Sequence, residues 1–416
     1  MKNTIVRTDL KNSFPALKYR DFRYFWFGQS ISLVGTWIQI TALQWFVYTL
    51  TKSALLLGLL GVAQFGPVLF FSLFAGVLVD RYPRKQIIVF AQTAAMIQAL
   101  LLSLIVFFGH HAYWEIFALS VLSGLINAID TPARQSFIPE IVPKNDLRSA
   151  IGLNMVVFNG AKIIGPALAA LLLTQLHPSF LFLLNGISFL PAIILIQRIR
   201  VRNPAIRRDQ EKVLSEIYKG FIHIRRSPTM LSTVLALFIL STFLMNFYVI
   251  IPIYAVEVLK QSVGGYGILM SALGIGSLVG SFLIASGGKE GNHMRRLFTC
   301  AFLDSLLFVS LNFVHALAFA VALLVVIGFL TIVFLSTANL TLQLNTSDAY
   351  RGRIMSIYSF CLLGTTPIGN LIAGAITENF GAGMGFLICG VITAMLILIV
   401  FVSFFKKGRL SQNHVG

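Results

Sequence analysis

Several charged side chains stand where a water-soluble protein has little use for them, inside long apolar runs. Lys162 lies about 13 residues into an apolar stretch at 149–175, roughly 20 Å from its start at about 1.5 Å per helical residue. An ammonium near a bilayer centre costs about 2.5–3.5 kcal/mol, so such groups face a bundle interior or a water path. Contact with an anionic substrate or coupling of charge movement are the functional uses open to it, and a structural hydrogen bond is the bland one. Asp304 sits about seven residues into a stretch at 297–315, roughly 10 Å deep. It is expected either to bind and release a coupling proton or to pair with Arg295 or Arg296. Asn127, Asp130 and Arg134 recur at i, i+3 and i+7, one helical face. The Asp130–Arg134 pair is either a surface pair at headgroup level or part of a drier charged cluster.

Uncharged polar groups add a second pattern. Gln29, Ser32, Thr36 and Gln39 fall within about 80° of one another at 100° per residue. A polar stripe on an apolar helix is expected to line a cavity, although Ser and Thr also serve helix packing. Asn154, Asn246, Asn339 and Asn370 are further candidates for that lining. Glu115, Glu257 and Glu378 read as interfacial charges at the ends of spans. Cys300, Cys361 and Cys389 lie apart inside apolar runs without zinc-type spacing, and are read as small core residues. No phosphate-binding Gly-x4-Gly-Lys-Ser/Thr loop and no His-Glu-x-x-His occurs, which excludes an ATP-driven pump within this chain and disfavours a zinc protease. No clustered acid–base or nucleophilic site marks an enzyme, and no cofactor is expected.

These residues must be positioned by membrane helices. Of 416 residues, 57% are apolar and 11% charged, against roughly a quarter charged in soluble domains. Apolar segments fall at about 24–50, 54–79, 86–109, 113–136, 149–175 and 178–197, then 229–257, 263–286, 297–315, 317–345, 354–378 and 384–405. Each can cross a core of about 30 Å. The expectation is an all-α membrane protein with twelve transmembrane helices in two pseudo-symmetric six-helix bundles, 1–197 and 229–416, joined by a basic linker at 198–228. The linker is expected to hold an amphipathic helix over 210–226, lying on the membrane surface.

The net charge of +17 would raise nucleic-acid binding in a soluble chain. Placement decides otherwise. With the amino terminus inside, all 32 Lys and Arg except Lys52, Lys260 and the intramembrane Lys162 fall on the cytoplasmic side, as the positive-inside rule requires. Both termini are therefore expected in the cytosol of a bacterial inner membrane, with no cleaved signal, no nucleic-acid partner and membrane lipid as surroundings.

The 2–3 loop reads Gly76-Val-Leu-Val-Asp80-Arg81-Tyr-Pro83-Arg84-Lys85. It resembles the cytoplasmic signature of the major facilitator superfamily, with Pro83 where glycine is usual. The 8–9 loop keeps Lys289, Arg295 and Arg296 without the matching Asp. Three further segments resemble the branch that holds enterobactin-type siderophore exporters and macrolide-efflux proteins. These are Arg20-Asp-Phe-Arg23 running into Gly28 to Gln39, Asn127 to Pro143, and Leu153 to Ala169 with Asn159, Lys162, Gly165 and Pro166. The resemblance implies a proton-driven exporter of a drug, siderophore or related amphipathic compound, working as a monomer by alternating access, with a lipid flippase or an importer on the same scaffold as alternatives. It also implies a cytoplasmic gate of Asp80, Arg81, Arg84 and Lys85, in which Arg84 meets Asp130 and the Asp130–Arg134 pair takes part. A cation at the place of Lys162 fits the branch, and Gly160, Gly165 and Pro166, like Gly364, Pro367 and Gly369, resemble the glycine–proline element of antiporters.

Overall fold

The computed structural model describes residues 15–109, 112–200, 213–286 and 292–412, without the side chains of 72–77, 80, 148, 213–219, 285–286, 348–349, 351–352 and 405–412. Long apolar runs become helices because a bilayer offers backbone N–H and C=O groups no water, and a helix pairs them within one segment. The helices are α1 (Arg20–Thr51), α2 (Ala54–Arg81), α3 (Arg84–Phe107), α4 (Tyr113–Ile141), α5 (Leu147–Leu173) and α6 (Pro178–Arg198). After them come α7 (Val213–Arg226), α8 (Pro228–Phe243), α9 (Phe247–Glu257), α10 (Val263–Ser286), α11 (His293–Leu311), α12 (Leu317–Leu344), α13 (Asp348–Ser359) and α14 (Thr366–Gln412). Every one of the twelve predicted spans lies on helix for most of its length. Ten described helical segments are long and apolar enough to cross a membrane. The longest of these, 353–404, contains Gly381 with φ 84° and ψ 165°, a left-handed turn that separates the eleventh apolar stretch from the twelfth. α11 is 19 residues long but carries Arg295, Arg296 and Asp304.

Starts and breaks have local causes. Ser53, Ser227 and Asn292 cap α2, α8 and α11 by accepting from Leu56, Met230 and Arg295 backbone N–H groups, and Pro178 and Pro228 begin α6 and α8, where a missing N–H is harmless. The seventh stretch is broken between α8 and α9. There the Asn246 side-chain amide donates to the Thr242 carbonyl at 2.8 Å, replacing a backbone donor lost at the interruption. Residues 360–364 form a π-helical turn between α13 and α14, a local loosening common near working parts of helices.

α1 packs on α5 and α6, α2 on α4, and α3 on α4 and α6. In the second set, α10 packs on α12, α11 on α12 and α14, and α8 on α14. The sets meet along α2/α14 and α5/α10, with α9 touching α1 and α2. Bulky apolar side chains such as Phe70, Phe90, Phe282 and Phe319 stand exposed on the outside, as lipid contact requires. The linker helix α7 does not lie free. His223 stacks on Tyr350 of α13 at 4.5 Å, Ile224 is buried, and a Cβ on Gly220 would stand 3.1 Å from Arg353 Cβ. Packing on protein thus takes part of the apolar face predicted to meet lipid headgroups.

Candidate functional site

At the end of the molecule carrying the 2–3 turn, the ion pairs seen among the described residues lie within the first set of helices. Arg84 is ion-paired with Glu140 of α4, not with Asp130 as expected. Glu140 lies ten residues beyond Asp130 on the same helix, about 15 Å along its axis, which brings it level with the start of α3. Lys85 donates to the carbonyls of Gln197 and Ile199 at 2.8 Å each, where the end of α6 leaves acceptors unpaired and favours a cation. Arg81 is exposed, and the side chain of Asp80 lies outside the described residues. Asp130 is buried, ion-paired with Arg134 and hydrogen-bonded by the Gln92 amide at 3.1 Å. The pair is thus set in from the surface rather than exposed on it. Nearby, Tyr19 donates to Asp146 at 2.7 Å, and that bond holds the phenol above its ordinary pKa.

One member of the polar stripe of α1 packs between helices rather than lining a cavity. Gln39 donates to Gln98 of α3 at 3.3 Å and accepts from Asn185 of α6 at 2.8 Å. Ser32 and Thr36 bond back to the Gln29 and Ser32 carbonyls of their own helix, and Gln29, Ser32 and Gln39 are buried. Gln39 thus faces α3 and α6, where close packing needs small or mutually bonded groups, while the buried Gln29 Oε1 has no partner among the described residues. Asn246 likewise serves the α8/α9 break. Asn339 accepts from Gln343 of its own helix at 2.5 Å.

A separate cluster lies across the meeting of the two sets. Lys162 of α5 stands over the Trp37 ring of α1 at 5.5 Å and forms no ion pair among the described residues. Trp37 stacks on Tyr248 of α9 at 6.0 Å, and Phe158 meets Trp37 edge-on at 6.1 Å. Asn154, Phe158 and Lys162 repeat every fourth residue, sharing one face of α5. Two turns along α1 from Trp37, Trp45 stacks on Tyr266 of α10 at 5.6 Å.

Toward the opposite end, the sets are joined by residues read as interfacial charges in the sequence. Tyr48 of α1 donates to Glu257 of α9 at 2.9 Å. Glu378 of α14 reaches the start of α2, where its Oε2 accepts from Ser53 Oγ at 3.1 Å and from the Ala54 and Leu55 N–H groups at 2.5 and 3.1 Å. A carboxylate satisfies the orphan donors of a helix start and its positive dipole end. Below it the buried Asn370 packs on α2, where a Cβ at Gly61 would stand 2.2 Å from Asn370 Nδ2. Glu378→Gln is expected to remove the charge-assisted part of this cap, about 1 kcal/mol. Amide exchange at Ala54 and Leu55 should then quicken by roughly fivefold to tenfold, while exchange in α4 stays as it was. Spacing within one helix could not reveal Glu257 or Glu378, because their partners lie more than 200 residues away.

Asp304 of α11 is fully buried, accepts from the Thr331 hydroxyl of α12 at 2.8 Å, and has its other oxygen without a protein partner. It pairs with neither Arg295 nor Arg296. Cys300, Cys361 and Cys389 are buried free thiols.

A family model described as "Transmembrane secretion effector" matches residues 11–413. The chain belongs to this major facilitator family. It is similar to the staphyloferrin A transporter of Staphylococcus aureus, 23% identical over 95% of this chain and 99% of that one. It is also similar to macrolide efflux protein A of Streptococcus pyogenes, 22% identical over 91% of this chain and 94% of that one. The fold matches the crystal structure of a bacterial homolog of the human lysosomal transporter Spinster in an inward-facing, unoccupied conformation, with TM-score 0.74, 13% identity, and coverage of 94% and 96% of the two chains. The resemblance to the siderophore and macrolide branch, which runs along essentially the whole chain and is densest at 20–175, is borne out. The chain is a multi-pass membrane transporter of small molecules and not an enzyme.

Proposed function

We propose that this transporter is a proton-coupled exporter of a small amphipathic molecule, working as a monomer in the bacterial inner membrane. Two units, 1–197 and 229–416, rock about a central site, with both termini and the 198–228 linker in the cytosol. The observation that carries this reading is Lys162, an unpaired cation midway along α5, flanked by aromatic groups from both sets of helices. Central sites at the meeting of repeats are the common plan of such carriers. The contacts Tyr48–Glu257 and Glu378 on the α2 start support an outer end that is shut. Arg81, Arg84, Lys85, Asp130 and Arg134, with Asp80, form the opposing cytoplasmic gate. Arg84 acts there through Glu140.

Asp304 is the proton-carrying group of this reading, since intramembrane carboxylates mark proton relays and Thr331 leaves one of its oxygens open to a proton. In inverted vesicles with an imposed pH gradient, the wild type should accumulate at least one of erythromycin, ethidium and 1-naphthoate, and a protonophore should abolish this. Accumulation that survives the protonophore overturns proton coupling, and gradient-independent movement of labelled lipid replaces the small-molecule reading. Asp304→Asn should lower gradient-driven accumulation by about tenfold or more while keeping equilibrium exchange of the same probe. Equal loss of both would remove Asp304 from the coupling step.

A further inference from the structure

Lys162 is accounted for neither by the fold nor by the gates. Its ammonium lies inside the membrane-spanning part of α5, roughly 22 Å from the helix start and 16 Å from its end, too far from either interface to reach water along its own stem. Among the described residues it has no carboxylate partner, and its one close polar interaction is the face of Trp37. A cation–π contact is worth about 0.5–2 kcal/mol, less than the roughly 2.5–3.5 kcal/mol that a central lysine costs. The difference is offset when an anion binds, because intramembrane charges are kept where they find opposite charge.

The surroundings say what sort of anion. Trp37, Phe158 and Tyr248 come from three helices and pack on one another, so the ring beneath the ammonium belongs to an aromatic cluster. Rings of this kind hold a planar partner by offset or edge contacts. Farther along α1, the Trp45–Tyr266 stack continues the aromatic wall, and the Tyr266 hydroxyl is buried with no hydrogen-bond partner. An orphan hydroxyl in such a place points to a polar group brought in by a ligand. A cationic amphipath would meet Lys162 as a like charge, which costs specificity directly.

We propose that Lys162, Trp37, Phe158 and Tyr248 bind an organic anion built on a flat aromatic ring, with Lys162 holding the anionic group and the rings holding the plane. The proposal rests on the exporter reading only in taking this site as the cargo's path. Relatives named for unlike cargoes share the scaffold, and the cation on α5 selects among cargoes by charge.

Three probes that share a ring and differ in charge test it: 1-naphthoate, 1-naphthamide and 1-naphthylmethylammonium. Equilibrium dialysis with the full chain in lipid nanodiscs, without any ion gradient, reads the affinities. The wild type should bind the carboxylate about tenfold or more tighter than the amide and the ammonium. Lys162→Arg should keep that preference within about threefold, Lys162→Gln should lose it by about tenfold, and Lys162→Glu should turn it toward the ammonium. Trp37→Leu should weaken all three probes alike, by about fivefold to tenfold. Equal wild-type binding of carboxylate and amide, undiminished carboxylate binding by Lys162→Gln, or no binding of any probe overturns the proposal. Lys162→Arg guards against a folding artefact, because it keeps the cation in place. Failure of the vesicle experiment leaves this equilibrium preference intact, and loss of the preference leaves gradient-driven export of another cargo intact, so the two readings fail separately.

Discussion

Asp130→Leu is expected to cost about 3–5 kcal/mol of stability, the usual result of removing one partner from a buried ion pair. Asp130 is 3% exposed and holds both Arg134 and the Gln92 amide, so its loss leaves a guanidinium and an amide without their acceptor in a dry place. Arg134→Met in the same chain should recover most of the loss, because an apolar pair of similar volume has no charge to strand. Equilibrium unfolding in mixed micelles measures both variants. Transport by the double variant then separates two roles. A pair that only braces α4 against α3 gives back activity along with stability. A pair that works in the cytoplasmic gate gives back stability alone, with export still reduced by about tenfold or more. Full recovery of both removes Asp130 and Arg134 from the gate.

The same pair shows what was legible in the sequence. The i,i+4 spacing on one helix is enough to place Asp130 against Arg134, and apolar runs of spanning length are enough for the helices, because a bilayer leaves the backbone few alternatives. Positions that depend on contacts between helices were less legible. The resemblance pairs Arg84 with Asp130, yet Glu140 stands level with it; rise per residue along α4 distinguishes the two once the start of α3 is fixed. The spacing of Gln29, Ser32, Thr36 and Gln39 marks one face of α1, but periodicity says nothing about whether that face meets water or another helix. At Gln39, bonds to Gln98 and Asn185 make it a packing face. Glu257 and Glu378 carried no periodic signal at all. Their partners, Tyr48 and the start of α2, are brought near by the meeting of the two sets. Lys162 was legible because a lone cation in an apolar run has few bland explanations, whereas its aromatic neighbours come from other helices and were not.

Gly267→Leu is expected to disable transport by wedging the seam between α5 and α10. A Cβ on Gly267 would stand 1.8 Å from the Ala170 Cβ, and one on Gly274, two turns along the same face, 2.6 Å from Ile163 Cγ1. No rotamer of leucine relieves a contact made at Cβ, so the helices must separate, and overpacking of this kind costs about 1–3 kcal/mol or more. In the alternating-access reading this seam is closed in one state and open in the other, so the penalty falls on the closed state alone. Each 1.4 kcal/mol then moves the balance about tenfold toward the outward-open form. Ala54→Cys, 4% exposed beneath Glu378, reports that form through labelling by a membrane-impermeant maleimide added from outside. Labelling should rise by about tenfold or more in the wedged protein while export falls by a similar factor. Gly276→Leu supplies the contrast. Its Cβ would stand 1.9 Å from the Val325 carbonyl of α12, an equally tight approach that joins two helices of the same set. It should lower stability without raising labelling of Ala54→Cys. If both variants label alike, the α5/α10 seam is not what holds the outer end shut, and closure belongs instead to Glu378 and the Tyr48–Glu257 contact.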